Sequence, residues 1–187
     1  GDQDQLPSVG PGQVLADLLQ INNLPKVSLT KIFRQSEDST IVTLASQMRK
    51  GQLPADFTEK KADRSYFEAN ASHIPQMVPK IISAAIKSGI AAQDVQILAP
   101  MYRGQAGINN LNTIMQDLLN PKEKANQFAF NDVFFRKNDK ILHLVNDTEL
   151  NVFNGDIGII TDLIPGKYTE SKQDEIYMSF DGNEVIY

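Results

Sequence analysis

The sequence contains no cysteine and only two histidines, His73 and His143, among its 187 residues. Without cysteine there are no disulfide bonds, no cysteine-ligated zinc and no thiol chemistry. The histidines stand far apart, so we predict no histidine-rich metal site, and we propose no catalytic triad. No apolar run approaches about 18 residues, so we predict no membrane-spanning helix. The composition is typical of a cytoplasmic protein.

The sequence carries fewer positive than negative charges, since the formal net charge is -5 and the pI is near 5.0. This argues against a nonspecific polycationic nucleic-acid binder, although one local groove remains possible. Residues 1–124 carry 13 Lys and Arg against 12 Asp and Glu, whereas residues 125–187 carry 5 against 11. The contrast favours two units; a chance distribution with a solvated acidic face is the alternative.

In the first of these parts, helix-like and strand-like patterns alternate. Apolar residues at helical spacing predict helices over about 14–21, 39–51, 73–88 and 104–119. Short apolar or alternating runs between them predict strands at 26–30, 65–68 and 95–99. Strand and helix in alternation are typical of an α/β fold with a parallel sheet.

The pattern changes from about Phe128. Turn pairs such as Asn154-Gly155 and Asp181-Gly182 separate five short apolar runs, at 133–135, 141–145, 157–160, 176–180 and 185–187. Short strands with turns at this spacing predict a small β-barrel. The change of pattern coincides with the change of charge, which places a boundary near residue 125.

The opening loop, GDQDQLPSVGPG, concentrates the polar groups most suited to chemistry. Ligands of open parallel sheets bind outside the carboxyl ends of strands, and Asp2 and Gln5 would lie at such an end. The Gln5 amide can contact both a phosphate oxygen and an attacking water. The alternative is a tight turn in which these side chains only cap the backbone. A loop at the start and a strand-like run at the end also lead us to expect a piece of a longer polypeptide.

Three further segments are candidates for ligand contact. Arg34, beside Phe33, could form a phosphate fork, or it could pair on the surface with a neighbouring acid. Tyr102, Arg103 and Gly104 precede a predicted helix, where an anion could bind and Tyr102 could stack on a base. The alternative there is an ordinary connection with Arg103 in solvent.

The third segment is the turn Asn154-Gly155-Asp156. It predicts either a barrel rim that contacts nucleic acid or a neighbouring domain, or plain hairpin chemistry.

Taken together, these motifs resemble superfamily-one helicases of the RecD-like branch, which includes the exodeoxyribonuclease V alpha chain. The opening loop resembles motif III, IFRQ resembles motif IV, and APMYRGQAGINNLN resembles a later block of the second motor domain. The run KNDKILHLVND with VFNGDIGIITDL resembles the SH3-like barrel inserted into that domain. The resemblance covers essentially the whole chain.

The resemblance implies a partial RecA-like parallel sheet with helices, plus the SH3-like barrel. The first motor domain would end at residue 22, the second would occupy 23–124, and the barrel 125–187. The implied activity is ATP-driven translocation, 5′ to 3′, on single-stranded DNA in bacterial DNA repair or recombination. A non-enzymatic module that binds DNA or a protein partner through the barrel is the alternative, and a nucleotide-binding regulator outside DNA metabolism is a weaker one.

The resemblance also assigns roles to residues. Gln5 would sense the γ-phosphate, Asp2 would lie beside the nucleotide, and Arg34 would act as an arginine finger. Tyr102, Arg103 and Gly104 would meet DNA, with Asn154 in the barrel signature. The sequence contains no G-x-x-x-x-G-K-[ST] loop and no acidic Mg²⁺ motif. ATP and Mg²⁺ are therefore expected in the parent protein and not on this chain alone, which we predict to be inactive.

Overall fold

The computed structural model describes residues 1–3, 5, 11–29, 39–122, 127–130 and 133–187. The chain divides into two compact units, Gly1–Glu68 and Ala69–Tyr187. Within the described ranges, no helix is long and apolar enough to cross a membrane.

The first unit contains two of the predicted helices, α1 (Val14–Gln20) and α2 (Thr40–Arg49). Both confirm the helical spacing of their apolar residues. Gly51 ends the second as predicted, with φ +71 and its N–H donated to the Met48 carbonyl at 2.9 Å. None of the described residues in this unit is fully buried.

The second unit begins with α3 (Ile74–Lys87) and α4 (Ile108–Leu119), which contact each other. Pro75 is tolerated in the first turn of α3, where its missing N–H would have no helical partner. Gly89 follows the helix with φ +102. The buried residues of the pair lie on the apolar stripes that predicted the helices: Ile82, Leu111 and Met115.

The three strands predicted for a parallel sheet are not formed. No described residue of 26–29, 65–68 or 95–99 is in a β-ladder, and the ladders of the described residues are all antiparallel. Exposure still alternates over 95–99, with Leu98 89% exposed, while Val27 and Leu29 are 91% and 95% exposed. A strand needs a neighbour at hydrogen-bonding distance, and parallel neighbours lie far away in sequence. None of the described residues supplies one, so these segments stay unpaired.

The predicted change to short antiparallel strands is confirmed. Strands β1 (Gln127–Phe130) and β2 (Val133–Arg136) pair antiparallel. A four-stranded antiparallel sheet follows in the order β3 (Lys140–Leu142), β4 (Ile157–Ile164), β5 (Glu175–Phe180) and β6 (Asn183–Ile186). Strand β1 had no prediction, and β3 ends at Leu142 rather than at Val145. Asp181 and Gly182 both take positive φ, 50° and 86°, as a two-residue hairpin turn requires.

The core of the four-stranded sheet is small and apolar. Val152, Phe180 and Val185 form its centre, and Ile141, Leu150 and Met178 pack against them. Gly158 is required beside this centre, because a Cβ there would lie 2.7 Å from the Phe180 ring. The sheet therefore packs over the Phe180 ring, and the absence of a side chain at Gly158 leaves room for that ring.

Asp139, in the turn between β2 and β3, joins helix α4 to the strands. It is 8% exposed, and its carboxylate accepts hydrogen bonds from Gln116 Nε2 (2.6 Å), Asn120 Nδ2 (2.7 Å) and the Arg136 N–H (2.7 Å). A buried carboxylate is stable only when its lone pairs are satisfied, as they are here.

The contact is reinforced around Asp139. Arg136 Nη1 donates to the Asn120 carbonyl at 2.9 Å, and its Nη2 forms an ion pair with Asp117 at 2.8 Å. Gln116 and Asn120 also donate to the carbonyls of Phe134 and Lys137, both at 2.8 Å. Helix α4 is thus attached to the strands by polar contacts as well as by packing.

We expect Asp139→Ala to lower the free energy of unfolding of the second unit by about 3 kcal/mol, because three buried donors lose their acceptor. Urea unfolding followed by far-UV circular dichroism measures the change. Glu184→Ala, at an exposed position of β6, is the matched control and should cost less than about 0.5 kcal/mol. Equal losses in the two variants would contradict the role given to Asp139.

Candidate functional site

The opening loop brings Asp2 and Gln5 together. Gln5 Nε2 donates to Asp2 Oδ2 at 3.2 Å, and the Gln5 backbone N–H lies 3.4 Å from the Asp2 carbonyl. Both side chains are exposed. The contact orients the Gln5 amide at the surface, where it is accessible to a ligand. Residues 4 and 6–10 of this loop lie outside the described residues.

Arg34, the predicted arginine finger, also lies outside the described residues, with the whole of the IFRQ segment. The first described residue after it is Ser39, at the start of α2. The contacts that hold Ser39 in place therefore bear on where Arg34 could meet a ligand.

Asp63 fixes the start of α2 from a distance of more than 20 residues in sequence. Its carboxylate accepts hydrogen bonds from the Thr40 N–H at 2.9 Å, the Ile41 N–H at 3.4 Å and Ser39 Oγ at 3.0 Å, as well as from the Thr40 hydroxyl. The Ser39 side chain itself makes no capping bond. The cap comes from Asp63, whose negative charge also suits a helix N-terminus.

These hydrogen bonds change the acidity of Asp63. The Thr40 hydroxyl makes the largest contribution, followed by the Ser39 hydroxyl and the helix amides, and together they lower the pKa of Asp63 to about 2. Donors that bind the ionised form favour it, so the carboxylate stays charged in the folded protein over all ordinary pH values.

A shallow cavity of about 310 Å³ lies against α2 in the same unit. Its charged lining is balanced, because Lys61 pairs with Asp56 at 2.8 Å and with Glu59 at 2.9 Å. Arg64, also in the lining, donates from Nη1 to the Phe57 carbonyl at 2.6 Å. Because Lys61 and Arg64 already have partners, we expect a phosphate to bind weakly in this cavity.

The segment before α4 presents Tyr102 and Arg103 on the surface. Tyr102 is 71% exposed, Arg103 is also exposed, and Gly104 has φ +91, so the chain reverses direction there. Gly107 lies close under this turn, since a Cβ on it would come within 2.5 Å of the Arg103 carbonyl oxygen. The turn thus holds an aromatic ring and a guanidinium side by side in the chain, both facing outward.

The start of α4 is not a free anion site. The Ile108 N–H donates to the Met101 carbonyl at 2.9 Å, and the Asn109 N–H donates to the Tyr102 carbonyl at 3.1 Å. The preceding turn folds back and occupies these two amides, and anion binding at this segment stays a prediction. The Arg103 side chain remains as the group that can contact a phosphate.

Asn154 lies in a tight turn of the long connection between β3 and β4. Its N–H donates to Asn146 Oδ1 at 2.9 Å, Gly155 has φ +101, and the Phe153 N–H donates to Asp156 Oδ2 at 2.8 Å. These contacts confirm the turn chemistry. A contact between Asn154 and DNA stays a prediction, in a turn whose one charged side chain is the carboxylate of Asp156.

His143 is packed against two aromatic rings, and it has a partner that its sequence position did not indicate. Its ring centroid lies 5.8 Å from those of Phe180 and Tyr187. The Tyr187 hydroxyl is 3.5 Å from His143 Nε2 and 3.4 Å from Asp147 Oδ2. Burial, followed by the negative charge of Asp147, raises the pKa of the Tyr187 phenol.

In the described part of the chain, no three His, Asp or Glu side chains gather in a way that could hold a metal ion. Asp2, a candidate nucleotide contact, is hydrogen-bonded to Gln5. A site for Mg²⁺ is therefore not formed by these residues alone.

Comparison with known proteins gives matches at both ends of the chain. Residues 111–180 match a family model described as the SH3 domain of ATP-dependent RecD-like DNA helicases, and residues 1–71 match one described as an AAA domain. The chain is 30% identical over 187 residues to the ATP-dependent RecD2 DNA helicase of Deinococcus radiodurans, covering 99% of this chain and 23% of that protein.

A second relative is the RecBCD enzyme subunit RecD of Mycolicibacterium smegmatis, 27% identical over 173 residues, which cover 86% of this chain and 30% of that protein. The chain thus spans less than a third of the length of these curated relatives.

The pKa of Asp63 predicts a pH-dependent helix start. Because the folded pKa is about 2, below the usual 3.8, the stability from the cap is complete above pH 4 and is lost as pH falls through 2. The NMR shifts of the Thr40 and Ile41 amides should follow this loss. Asp63→Asn should abolish the transition, while Asp17→Asn in α1 should leave it unchanged. A transition that survives in Asp63→Asn would assign it to another group.

Proposed function

We propose that this chain belongs to the RecD-like helicase family and that its parent protein is an ATP-dependent DNA helicase. The parent would couple ATP hydrolysis to movement, 5′ to 3′, along single-stranded DNA, and would serve DNA repair or recombination in the bacterial cytoplasm. Two facts support this: the similarity to a helicase along the whole chain, and the direct contact between Gln5 and Asp2 in the loop that resembles motif III.

The contact between Gln5 and Asp2 carries the proposal for nucleotide coupling. An uncharged amide held by a carboxylate can change partners when a γ-phosphate arrives, because it offers both a donor and an acceptor. Gln5 would then report the state of the nucleotide to the DNA site. Arg34 would approach the γ-phosphate from the second motor domain and stabilise the charge that develops in phosphoryl transfer.

ATP and Mg²⁺ would be held mainly by other parts of the parent. The chain contains no G-x-x-x-x-G-K-[ST] loop, and its described residues form no acidic metal site. Without that cradle the phosphoryl group cannot be positioned, so the chain alone would be inactive. Its own contribution would be to sense the nucleotide and to bind DNA.

Tyr102, Arg103 and Gly104 are the proposed DNA contacts. An exposed aromatic ring next to an exposed guanidinium suits a single strand, because bases stack on the ring while Arg binds the phosphate. The φ of Gly104 sets the direction of this turn. Asn154, with only an amide to offer, would contact a base edge rather than a phosphate.

The domain arrangement is also part of the proposal. Residues 1–22 would end the first motor domain, 23–124 would belong to the second, and 125–187 would form the SH3-like barrel. The unpaired segments at 26–29 and 95–99 would be strands of a RecA-like parallel sheet completed by the rest of the parent. Their exposed apolar residues, Val27, Leu29 and Leu98, support this arrangement.

In a longer polypeptide that includes the phosphate-binding loop, Gln5→Ala should retain ATP binding and lose DNA-stimulated hydrolysis. Arg34→Ala should lower the hydrolysis rate more than ~100-fold, as expected for an arginine finger. A phosphate-release assay measures both, with Gln3→Ala as the neighbouring control and this 187-residue chain as the inactive baseline. Normal kinetics in the Arg34 variant would remove its catalytic role, and turnover by the chain alone would contradict the proposed division of the site.

Arg103→Ala should weaken binding of a single-stranded oligonucleotide and reduce the salt dependence of binding by about one counterion. The affinity of dT15, measured by fluorescence anisotropy from low to moderate salt, provides both values. Lys80→Ala, on the exposed face of α3, is the control. An unchanged salt slope would show that Arg103 contacts no phosphate.

A further inference from the structure

Strand β3 has one open edge. The His143 N–H donates to the Asp156 carbonyl at 2.8 Å, and the Gly155 N–H donates to the His143 carbonyl at 2.9 Å. Since successive residues of an extended chain direct their backbone groups to opposite sides, Leu142 and Leu144 direct theirs away from β4. Within the described residues no strand lies on that side, because β3 is at the end of the sheet.

The side chains at this edge form an apolar surface. Ile141 packs into the core and the His143 ring lies against Phe180, so the alternate residues Leu142 and Leu144 project to the outer face. Leu142 is paired in register with Ile157 on β4. Leu142, Leu144 and Ile157, which we call the β3 edge surface, are 50%, 66% and 49% exposed.

Acidic side chains occur in the connection that follows β3, and Asp147 lies near His143, since the Tyr187 hydroxyl is 3.4 Å from Asp147 Oδ2 and 3.5 Å from His143 Nε2. Asp147 and Asp156 are held in the connection that follows β3, and Glu149 is exposed between them in sequence. The basic residue of the strand, Lys140, has its ammonium group 2.7 Å from the Gln93 carbonyl and 3.2 Å from that of Val95. The local charge is therefore negative.

We propose that the β3 edge surface binds an extended segment of a partner protein by strand addition, and that this segment alternates apolar and basic side chains. The open backbone groups of Leu142 and Leu144 supply the main-chain pairing, and the outer-face leucines receive the apolar side chains. Lys or Arg side chains of the partner are attracted by Asp147, Glu149 and Asp156. The proposal does not depend on the helicase function.

Two other occupants fit the charge less well. Single-stranded DNA would bring phosphates towards the carboxylates of the connection that follows β3, which repel it. A second copy of the same edge would place two acidic rims against each other. An uncovered apolar edge favours aggregation. A partner segment of positive charge would cover this edge and would avoid the repulsion between like charges.

A labelled ten-residue peptide that alternates Val and Lys is the probe, titrated against the 187-residue chain by fluorescence anisotropy. A peptide that alternates Val and Glu is its control and should bind at least tenfold more weakly. Failure of the Val-Lys peptide to bind would overturn the proposal, and equal affinity of the two peptides would overturn its charge argument.

Leu144→Pro should weaken the Val-Lys peptide at least tenfold, because it removes an outward N–H while leaving the His143 pairing to β4 in place. Leu144→Asp keeps the N–H and changes only the side chain, and should give a comparable loss. Tyr168→Asp, at a 72% exposed aromatic residue away from β3, should leave the affinity unchanged. Circular dichroism confirms that each variant is folded.

Three results would assign the surface to another occupant or role. Undiminished peptide binding in both Leu144 variants would exclude the edge. Loss of dT15 binding in Leu144→Asp would indicate DNA. Self-association of the chain that Leu144→Asp abolishes, seen by sedimentation velocity, would indicate a second copy.

Discussion

The buried carboxylate of Asp139 is the interaction on which the second unit depends. It collects donors from α4, through Gln116 and Asn120, and from the backbone of β2, at Arg136. A buried carboxylate is tolerated here because it accepts all of these hydrogen bonds, and losing one donor leaves it short of a partner. The orientation of α4 relative to β2 and β3 is therefore fixed by a polar contact rather than by packing alone.

That attachment links the candidate DNA contacts to the barrel. The turn carrying Tyr102 and Arg103 is held by the first amides of α4, and the last turn of α4 is held by Asp139. One helix thus connects the exposed turn at its start with the strands at its end. In the proposed helicase, a displacement of DNA at Arg103 would be transmitted to the barrel through a rigid element.

Charge separates the tasks of the two parts. The exposed cation at the turn before α4, Arg103, suits a phosphate backbone, whereas the connection after β3 carries Asp147, Glu149 and Asp156. Electrostatic complementarity decides which partner approaches which surface. These charges agree with the DNA contact proposed at Arg103 and with the basic partner segment proposed at the β3 edge surface.

The sequence by itself determined the helices and the antiparallel turns, because apolar spacing and residues such as Gly51 and Gly182 act within a few positions of the chain. It also carries the resemblance to RecD-like helicases, since the opening loop and the barrel signature are local patterns. Only the tertiary structure decided that Asp63 caps α2, that Asp139 joins α4 to the strands and that 95–99 stays unpaired. Each of these depends on residues far apart in sequence, whose proximity no local pattern encodes.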